Sequence, residues 1–328
     1  MRTGRRLTAV FAAAGVLVLA QSVTGWGCDF CLLSQGVSPL DTIKGDGIRI
    51  TERYTLLDRV YRGTERLPEA GAREEHWTTE VTGFYSPRPH LTLLAVVPYR
   101  IGKTTGELSL NPDGTVAGLD AAGAGSAAGI GDVTLLGRYT FVAADRPAST
   151  TRIAAQIGVK LATGRTDALT DDGDEFLDSH LQPGTGSTDV LLGLSLSHAL
   201  KRLSFAVNLL GTLPGEGEYG DTKHQFGDAL NYDVSAKYRL YPGPAQPRSP
   251  QVFAVLGVNG ETRAKEKIDG VTEENSGGTA LYVAPGLQLT LPPHWVLDLT
   301  YQAAAYHNLG GTQLGETSKT VGGVTYLF

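Results

Sequence analysis

Leu230-Asn231-Tyr232-Asp233-Val234-Ser235-Ala236-Lys237-Tyr238-Arg239-Leu240 alternates apolar and polar residues without a break. One set is Leu, Tyr, Val, Ala, Tyr and Leu; the other is Asn, Asp, Ser, Lys and Arg. A helix would scatter both sets around its axis, whereas a strand puts each on its own face. The pattern recurs along the chain. Ile153, Ala155, Ile157, Val159 and Leu161 share a face opposite Arg152, Gln156 and Lys160. Val190, Leu192, Leu194 and Leu196 alternate with Asp189, Leu191, Gly193, Ser195 and Ser197.

Twelve such segments are expected, near 46–57, 74–85, 90–100, 130–142, 151–162, 188–198, 202–211, 229–241, 251–260, 279–291, 294–305 and 318–328. Strands of soluble proteins average about 5–6 residues; a tilted membrane-crossing strand needs about 9–11. The segments have the second length. The connections alternate too. Those at 86–89, 143–150, 199–201, 242–247 and 292–293 are short and mostly proline-bearing, while 58–73, 101–129, 163–187, 212–228, 261–278 and 306–317 are long. Short turns at one end, long loops at the other and an even strand count are the pattern of outer-membrane barrels, with termini and short turns in the periplasm.

Trp77, Tyr85, Tyr99, Tyr139, Phe141, Tyr241, Trp295, Tyr301 and Tyr306 stand near segment ends, as two interfacial aromatic belts require. The competing reading, a soluble two-sheet sandwich, meets polar faces too polar for a dry core. The expected fold is therefore all-β, a transmembrane antiparallel β-barrel of about twelve strands. The chain ends Val324-Thr325-Tyr326-Leu327-Phe328, and the alternate residues Val324, Tyr326 and Phe328 resemble the signature that barrel-assembly machinery recognises in the last strand.

Composition excludes other classes. Glycine takes 42 of 328 positions, cysteine two and methionine one, with net charge -6. Two cysteines cannot build a disulfide scaffold, and an acidic balance does not suit nucleic acid. Arg2, Arg5 and Arg6 precede an apolar stretch from Leu7 to Ala20 and then small residues. That is a secretory signal peptide over residues 1–25, too short for a membrane span. It leaves a segment at 26–45 and a barrel at 46–328.

Gly129-Ile130-Gly131-Asp132 with Gly137-Arg138-Tyr139-Thr140, Gly158-Val159-Lys160-Leu161-Ala162-Thr163-Gly164, and Leu181-Gln182-Pro183-Gly184-Thr185-Gly186-Ser187 running to Asp189 resemble a family of outer-membrane transporter-like proteins described under the meta-pathway of phenol degradation. Family members usually carry Pro where this chain has Ala162. The resemblance covers about 129–328, and more weakly from about 46. It implies a barrel that acts as a channel, and supplies no substrate. Gly129, Gly131 and Gly186 are expected at strand entries that need backbone freedom.

If the polar faces point inward, they line a pore with Arg49, Arg53, Arg100, Arg138, Arg152, Lys160, Arg202, Lys237 and Arg239 against Glu80, Asp132, Asp189, Asp233 and Asp298. Nine basic and five acidic groups leave a surplus of four, which favours anionic solutes; the alternative is that opposite charges pair across the barrel and brace it. Twelve strands leave a narrow or gated pore. Glu52 falls on the lipid face, so the first strand is expected to bulge or begin later.

Trp26-Gly27-Cys28-Asp29-Phe30-Cys31-Leu32-Leu33 is read either as a plug folded into the barrel or as a periplasmic lead-in. Cys28 and Cys31 form a C-x-x-C pair, expected as a disulfide in an oxidising compartment. No histidine follows for haem attachment, and neither a metal nor another cofactor is expected. Asp167, Asp171, Asp172, Asp174, Glu175 and Asp178 crowd one long loop without calcium-loop spacing; a solvated loop and surface cation binding are both open. A hydrolase would need a nucleophile and base together, yet alternation sends His198 away from Ser195 and Ser197.

The sequence thus points to a non-enzymatic outer-membrane channel for passive or gated passage of small solutes, with anionic and aromatic or hydrophobic organic compounds both open, whose partners are outer-membrane lipid, the barrel-assembly machinery and the solute. The alternatives are a plugged, non-conducting surface barrel and, third, an outer-membrane hydrolase.

Overall fold

The structure, a computed structural model, describes residues 46–68, 71–111, 114–173, 175–220, 222–243 and 248–328. The expected signal peptide at 1–25, the segment at 26–45, Cys28, Cys31 and Asp174 lie outside the described residues. The wall is built from β1 (Gly47–Gly63), β2 (Glu74–Arg88), β3 (Leu91–Thr104), β4 (Gly125–Ile130), β5 (Thr134–Arg146), β6 (Ser149–Lys160), β7 (Asp189–Leu200), β8 (Leu203–Leu213), β9 (Ala229–Tyr241), β10 (Gln251–Arg263), β11 (Gly278–Leu291) and β12 (Trp295–Leu327). Eleven of these follow one another by antiparallel pairing, β12-β11-β10-β9-β8-β7-β6-β5-β3-β2-β1, and β1 pairs back with β12 to close the ring. Closure removes the sheet edges, so backbone groups in the lipid are satisfied within the wall.

The twelfth element, β4, shares β3 with β5. Tyr99 to Thr104 pair with β4 and Leu91 to Val96 pair with β5. The wall is interrupted between the two at Gly131, Asp132 and Val133.

Each of the first ten expected segments falls on a wall strand. The last two fall in one extended run, Trp295–Leu327. The stretch 306–317, expected as a loop, is strand on both sides of Gly311, whose φ is +68°. The turn-forming residues there are real, but only Gly310 and Gly311 are used for turning. Leu309 and Leu314 are instead buried with Leu57, Val60 and Ala72, and that apolar contact extends the hairpin above the wall.

The alternating faces separate as the sequence requires. Ile50, Val81, Leu192, Leu194, Val258, Leu287 and Leu299 are exposed outward. Exposed aromatics form two rows: Trp77, Tyr99 and Tyr306 toward the long loops, and Tyr85, Tyr139, Phe141, Tyr241 and Trp295 toward the short turns, with Tyr301 between. Eight residues separate Trp77 from Tyr85 on β2, so the rows lie roughly 20 Å apart for a strand tilted about 40°. Val324 and Phe328 are exposed on the same outer surface, where Tyr326 packs on Trp295 and Phe328 with ring centroids 4.8 and 5.7 Å apart. Glu52 remains on the outer face and accepts a hydrogen bond from Thr79 Oγ1 at 2.8 Å. β1 begins at Gly47 and does bulge, but above Glu52, between Leu56 and Arg59, so its register never turns the carboxylate inward.

Candidate functional site

The three motif stretches, far apart in sequence, meet at one knot where the wall is interrupted. Asp132, leaving β4, accepts four hydrogen bonds: from Thr163 N at 3.1 Å, Gly164 N at 2.9 Å, Thr185 N at 2.8 Å and Thr185 Oγ1 at 2.5 Å. Lys160 Nζ, at the end of β6, donates to Thr185 Oγ1 at 2.6 Å and pairs with Asp189 at 2.6 Å and Asp132 at 3.5 Å. Ser187 Oγ donates to Asp189 Oδ1 at 2.7 Å. Asp132, Lys160, Thr185, Ser187 and Asp189 are all buried. A carboxylate removed from water needs a filled set of donors, and this one has it.

Close approach explains the glycines better than strand entry does. A Cβ on Gly164 would sit 2.5 Å from Gly184 Cα, and one on Gly131 would meet Pro183 O at 2.9 Å. Gly129 likewise lies under the Pro183 ring, 3.3 Å from where its Cβ would stand. Of the three glycines expected to need backbone freedom, only Gly186 has positive φ, +66°.

The knot fastens the long connection 161–188 into the barrel. Arg100 Nη1 donates to Gln182 O at 3.0 Å. Gln182, fully buried, bridges the connection to itself: Nε2 donates to Ala168 O and Leu177 O at 2.8 Å each, and Oε1 accepts from Ala168 N at 3.0 Å. Leu177, Leu181 and Ala168 pack on Ala127 of β4. The described acidic residues of this connection, Asp167, Asp171, Asp172, Glu175 and Asp178, are exposed on a segment whose other residues are fastened inward, with Thr170 donating to Asp172 at 2.5 Å.

The inner wall has two characters. Phe84, Leu94, Leu136, Leu191 and Leu210, from β2, β3, β5, β7 and β8, form one buried apolar cluster. The rest of the inner face, on these strands and on β1, β9, β10, β11 and β12, is polar and largely ion-paired. Arg49 is bound to Asp298 at 2.7 Å, Arg53 to Glu80 at 3.7 Å, Arg263 to Glu261 at 3.2 Å, and Lys319 to Glu316 at 2.7 Å. Arg138 Nη2 donates to Ser195 Oγ at 3.1 Å, Asn208 Nδ2 to Asp233 at 3.0 Å, and Lys237 Nζ to Gln288 at 3.3 Å.

Three residues counted with the lumen stand beside the short turns instead. Arg152 pairs with the exposed Asp145 at 2.6 Å. Arg239 donates to Lys201 O at 3.5 Å, and Arg202 lies against Gly243. The sequence reading missed Glu261, Arg263 and Glu316, which fall in stretches assigned to connections, and Lys319, which lies in the expected strand 318–328 without having been counted with the pore; continuing the alternation Val255, Gly257, Asn259 would have reached Glu261 and Arg263. Among the described residues the buried charged side chains are six Lys or Arg and eight Asp or Glu. The expected basic surplus of four is absent. Ser195 takes the Arg138 hydrogen bond, while His198 Nδ1 pairs with Thr151 Oγ1 at 2.9 Å, so no serine–histidine pair forms there.

Above the folded connection lies a cavity of about 380 Å3, bounded by β1, β2, β12 and the loops. Two smaller voids, about 20 and 10 Å3, lie among wall side chains. In the large cavity Glu266 Oε2 is shared by His180 Nε2 and His224 Nε2, each at 3.2 Å. Burial alone would raise the Glu266 carboxyl, but the two imidazoles outweigh it and hold it well below the usual carboxylate range. Glu107 is pushed the other way, raised by burial and then by Asp178, Asp120, Glu175 and Glu74.

Comparison with known proteins agrees with this architecture. The chain is similar to a crystallised outer-membrane channel from Pseudomonas putida F1, at 14% identity and TM-score 0.65, over 89% of this chain and 100% of that one. Weaker likenesses are the CymD monoaromatic hydrocarbon channel, at 12% identity, TM-score 0.40 and 93% and 98% coverage, and the Pseudomonas putida toluene transporter TodX, at 11% identity, TM-score 0.38 and 93% and 95% coverage. No curated protein matches the chain. The model of the family described as "Putative MetA-pathway of phenol degradation" matches residues 69–305, the stretch that holds the whole knot, and the chain belongs to that family.

Proposed function

We propose that the protein is an outer-membrane channel for small organic solutes with an apolar body, narrowed by the inward-folded connection 161–188. The observation that carries the reading is the mixed inner wall: an apolar arc centred on Leu136 shares it with ion-paired groups such as Glu261 and Lys319. A flat, mostly apolar solute can lie against the first while its polar edge meets the second. The similar Pseudomonas putida protein is an outer-membrane channel, and the exposed apolar band between aromatic rows suits the same membrane. Because the inner charges are paired and lack a basic surplus, aromatic or hydrophobic solutes fit better than anions.

Twelve staves are the count this reading takes. Every wall pairing is antiparallel, so neighbours alternate in direction, and a ring of alternating directions closes only on an even number. β12 pairs with β11 along Trp295 to Leu309 and with β1 along Leu309 to Leu327, and Leu327 N donates to His294 O at 2.8 Å across its two arms. Counting those arms separately makes twelve.

The remaining parts of the reading follow from export. Residues 1–25 serve as the signal peptide, and 26–45 either plug the barrel or lead into it. Val324, Tyr326 and Phe328 engage the assembly machinery. Liposome swelling tests the function: benzyl alcohol should enter faster than a sugar of similar size, and equal exclusion of both, with no single-channel current, would sink it. A current appearing only after residues 26–45 are deleted would favour the plugged barrel.

A further inference from the structure

The 380 Å3 cavity carries a chemistry that differs from the rest of the lumen. Among the described residues lining it there are six carboxylates and three histidines, and no lysine or arginine. Its other wall is apolar: Leu57, Ala72 and Leu314 come from a buried cluster against which Leu108 packs, and Leu181 closes the floor. Elsewhere inside the barrel acids are matched by bases, as Arg263 matches Glu261. Of the six lining the cavity, Glu316 keeps Lys319, whereas Glu266 and Glu74 are matched by imidazoles, those of His180, His224 and His76.

Glu266 is the critical group. It is 3% exposed. Its Oε2 accepts from His180 and His224, while Oε1 is buried and has no hydrogen-bond partner. Both imidazoles reach it through Nε2, so each donates from that nitrogen and stays neutral when Nδ1 carries no proton. With both neutral the trio carries one negative charge. A buried carboxylate oxygen without a donor is an unmet demand for a positive or donating group.

We propose that this vestibule is a binding site for an organic cation, an ammonium carried on an apolar body. The cationic head would lie toward Glu266, with Glu107 and Asp178 adding negative charge, and the body would lie on Leu57, Leu108 and Leu314. The volume is in the range of small-ligand pockets. A hard divalent ion would leave the leucine wall unused, and a neutral aromatic would leave the carboxylates unused. The groups facing the trio from the packed elements are Glu74 and His76 on β2, Glu107, Asp178, Glu273 and Glu316. Apart from His76 all of them are acidic, which favours a cation over an anion or a neutral solute there.

The site does not depend on passage through the barrel, so its test is equilibrium binding. The full-length protein, folded in detergent, is titrated with benzyltrimethylammonium, benzyl alcohol and calcium by calorimetry. Benzyltrimethylammonium should bind at pH 7.5, at least tenfold tighter than benzyl alcohol. Glu266→Gln should weaken it about tenfold. Glu107→Gln, on the short hairpin 107–120 that is not part of the wall, should weaken it severalfold. Equal binding of benzyl alcohol would make the cavity merely apolar, and calcium displacing the amine at equal concentration would make it merely an acidic cluster. Either result overturns the proposal, as does unchanged affinity in both variants. Loss of solute uptake with binding intact would refute the channel reading instead.

Discussion

Asp132→Ala should release the connection 161–188 from the lumen. The side chain accepts from three backbone N–H groups and one hydroxyl and lies beside Lys160. Hydrogen bonds to a charged group contribute about 1.5–3 kcal/mol each, and these four are not additive because they share one carboxylate. Removing one partner of a buried charged network typically costs about 3–5 kcal/mol. A loss of about 4 kcal/mol is a roughly thousandfold shift between held and released states. The wall should survive, since Lys160 keeps Asp189 at 2.6 Å and Thr185 keeps Lys160 and Ser187. Asp132→Asn should lie between: Oδ1 can still accept from Thr163 and Gly164, but Nδ2 would face the Thr185 N–H with another donor. The measurement pairs single-channel current in planar bilayers with protease cleavage between 163 and 187 in intact proteoliposomes. Current and cleavage should both rise in the order wild type, Asn, Ala. Wild-type values for both in Asp132→Ala, with the barrel folded, would refute the claim that this carboxylate holds the constriction.

Other expectations follow from the same structure. Leu136→Asp puts a charge in the apolar arc and should slow benzyl alcohol entry roughly tenfold, the scale of about 1–3 kcal/mol for a spoiled apolar contact; uptake equal to wild type would remove that arc from the pathway. Glu107 has a raised carboxyl pKa, so the folded loop binds its proton more readily than the unfolded one and gains stability as pH falls. Glu107→Gln should therefore slow loop proteolysis at pH 8 and make little difference at pH 4. Glu266 runs oppositely. Its lowered pKa contributes stability above about pH 4.3, the unfolded value, which is lost as pH falls further. Acid proteolysis of the loops should show a pH dependence that Glu266→Gln flattens. Deleting Phe328 should slow insertion by the barrel-assembly machinery while leaving unassisted folding in detergent unchanged.

The wall was legible because a strand's side chains obey a period of two whatever they pack against. Asp233 and Lys237 turned inward, and Leu194 and Val234 outward, on local pattern alone. The long final hairpin was not legible. Gly310 and Gly311 announce a turn, but nothing local says that Leu314 will find Leu57 and Val60 and carry the strands on. The charge balance failed for a related reason: Glu316 belongs to that hairpin, so reading it as a loop removed the carboxylate from the wall.

By itself the sequence determined a closed, membrane-facing barrel, since alternation, strand length and aromatic placement are one-dimensional properties that act locally. It also singled out the glycine-rich stretches as unusual. Only the tertiary structure decided what those stretches do. Asp132, Gly164 and Thr185 are 32 and 21 residues apart in order, and no periodicity couples them. They meet because the closed wall brings the ends of β4, β6 and β7 together, and a buried carboxylate there must collect donors from whichever segments the closure delivers.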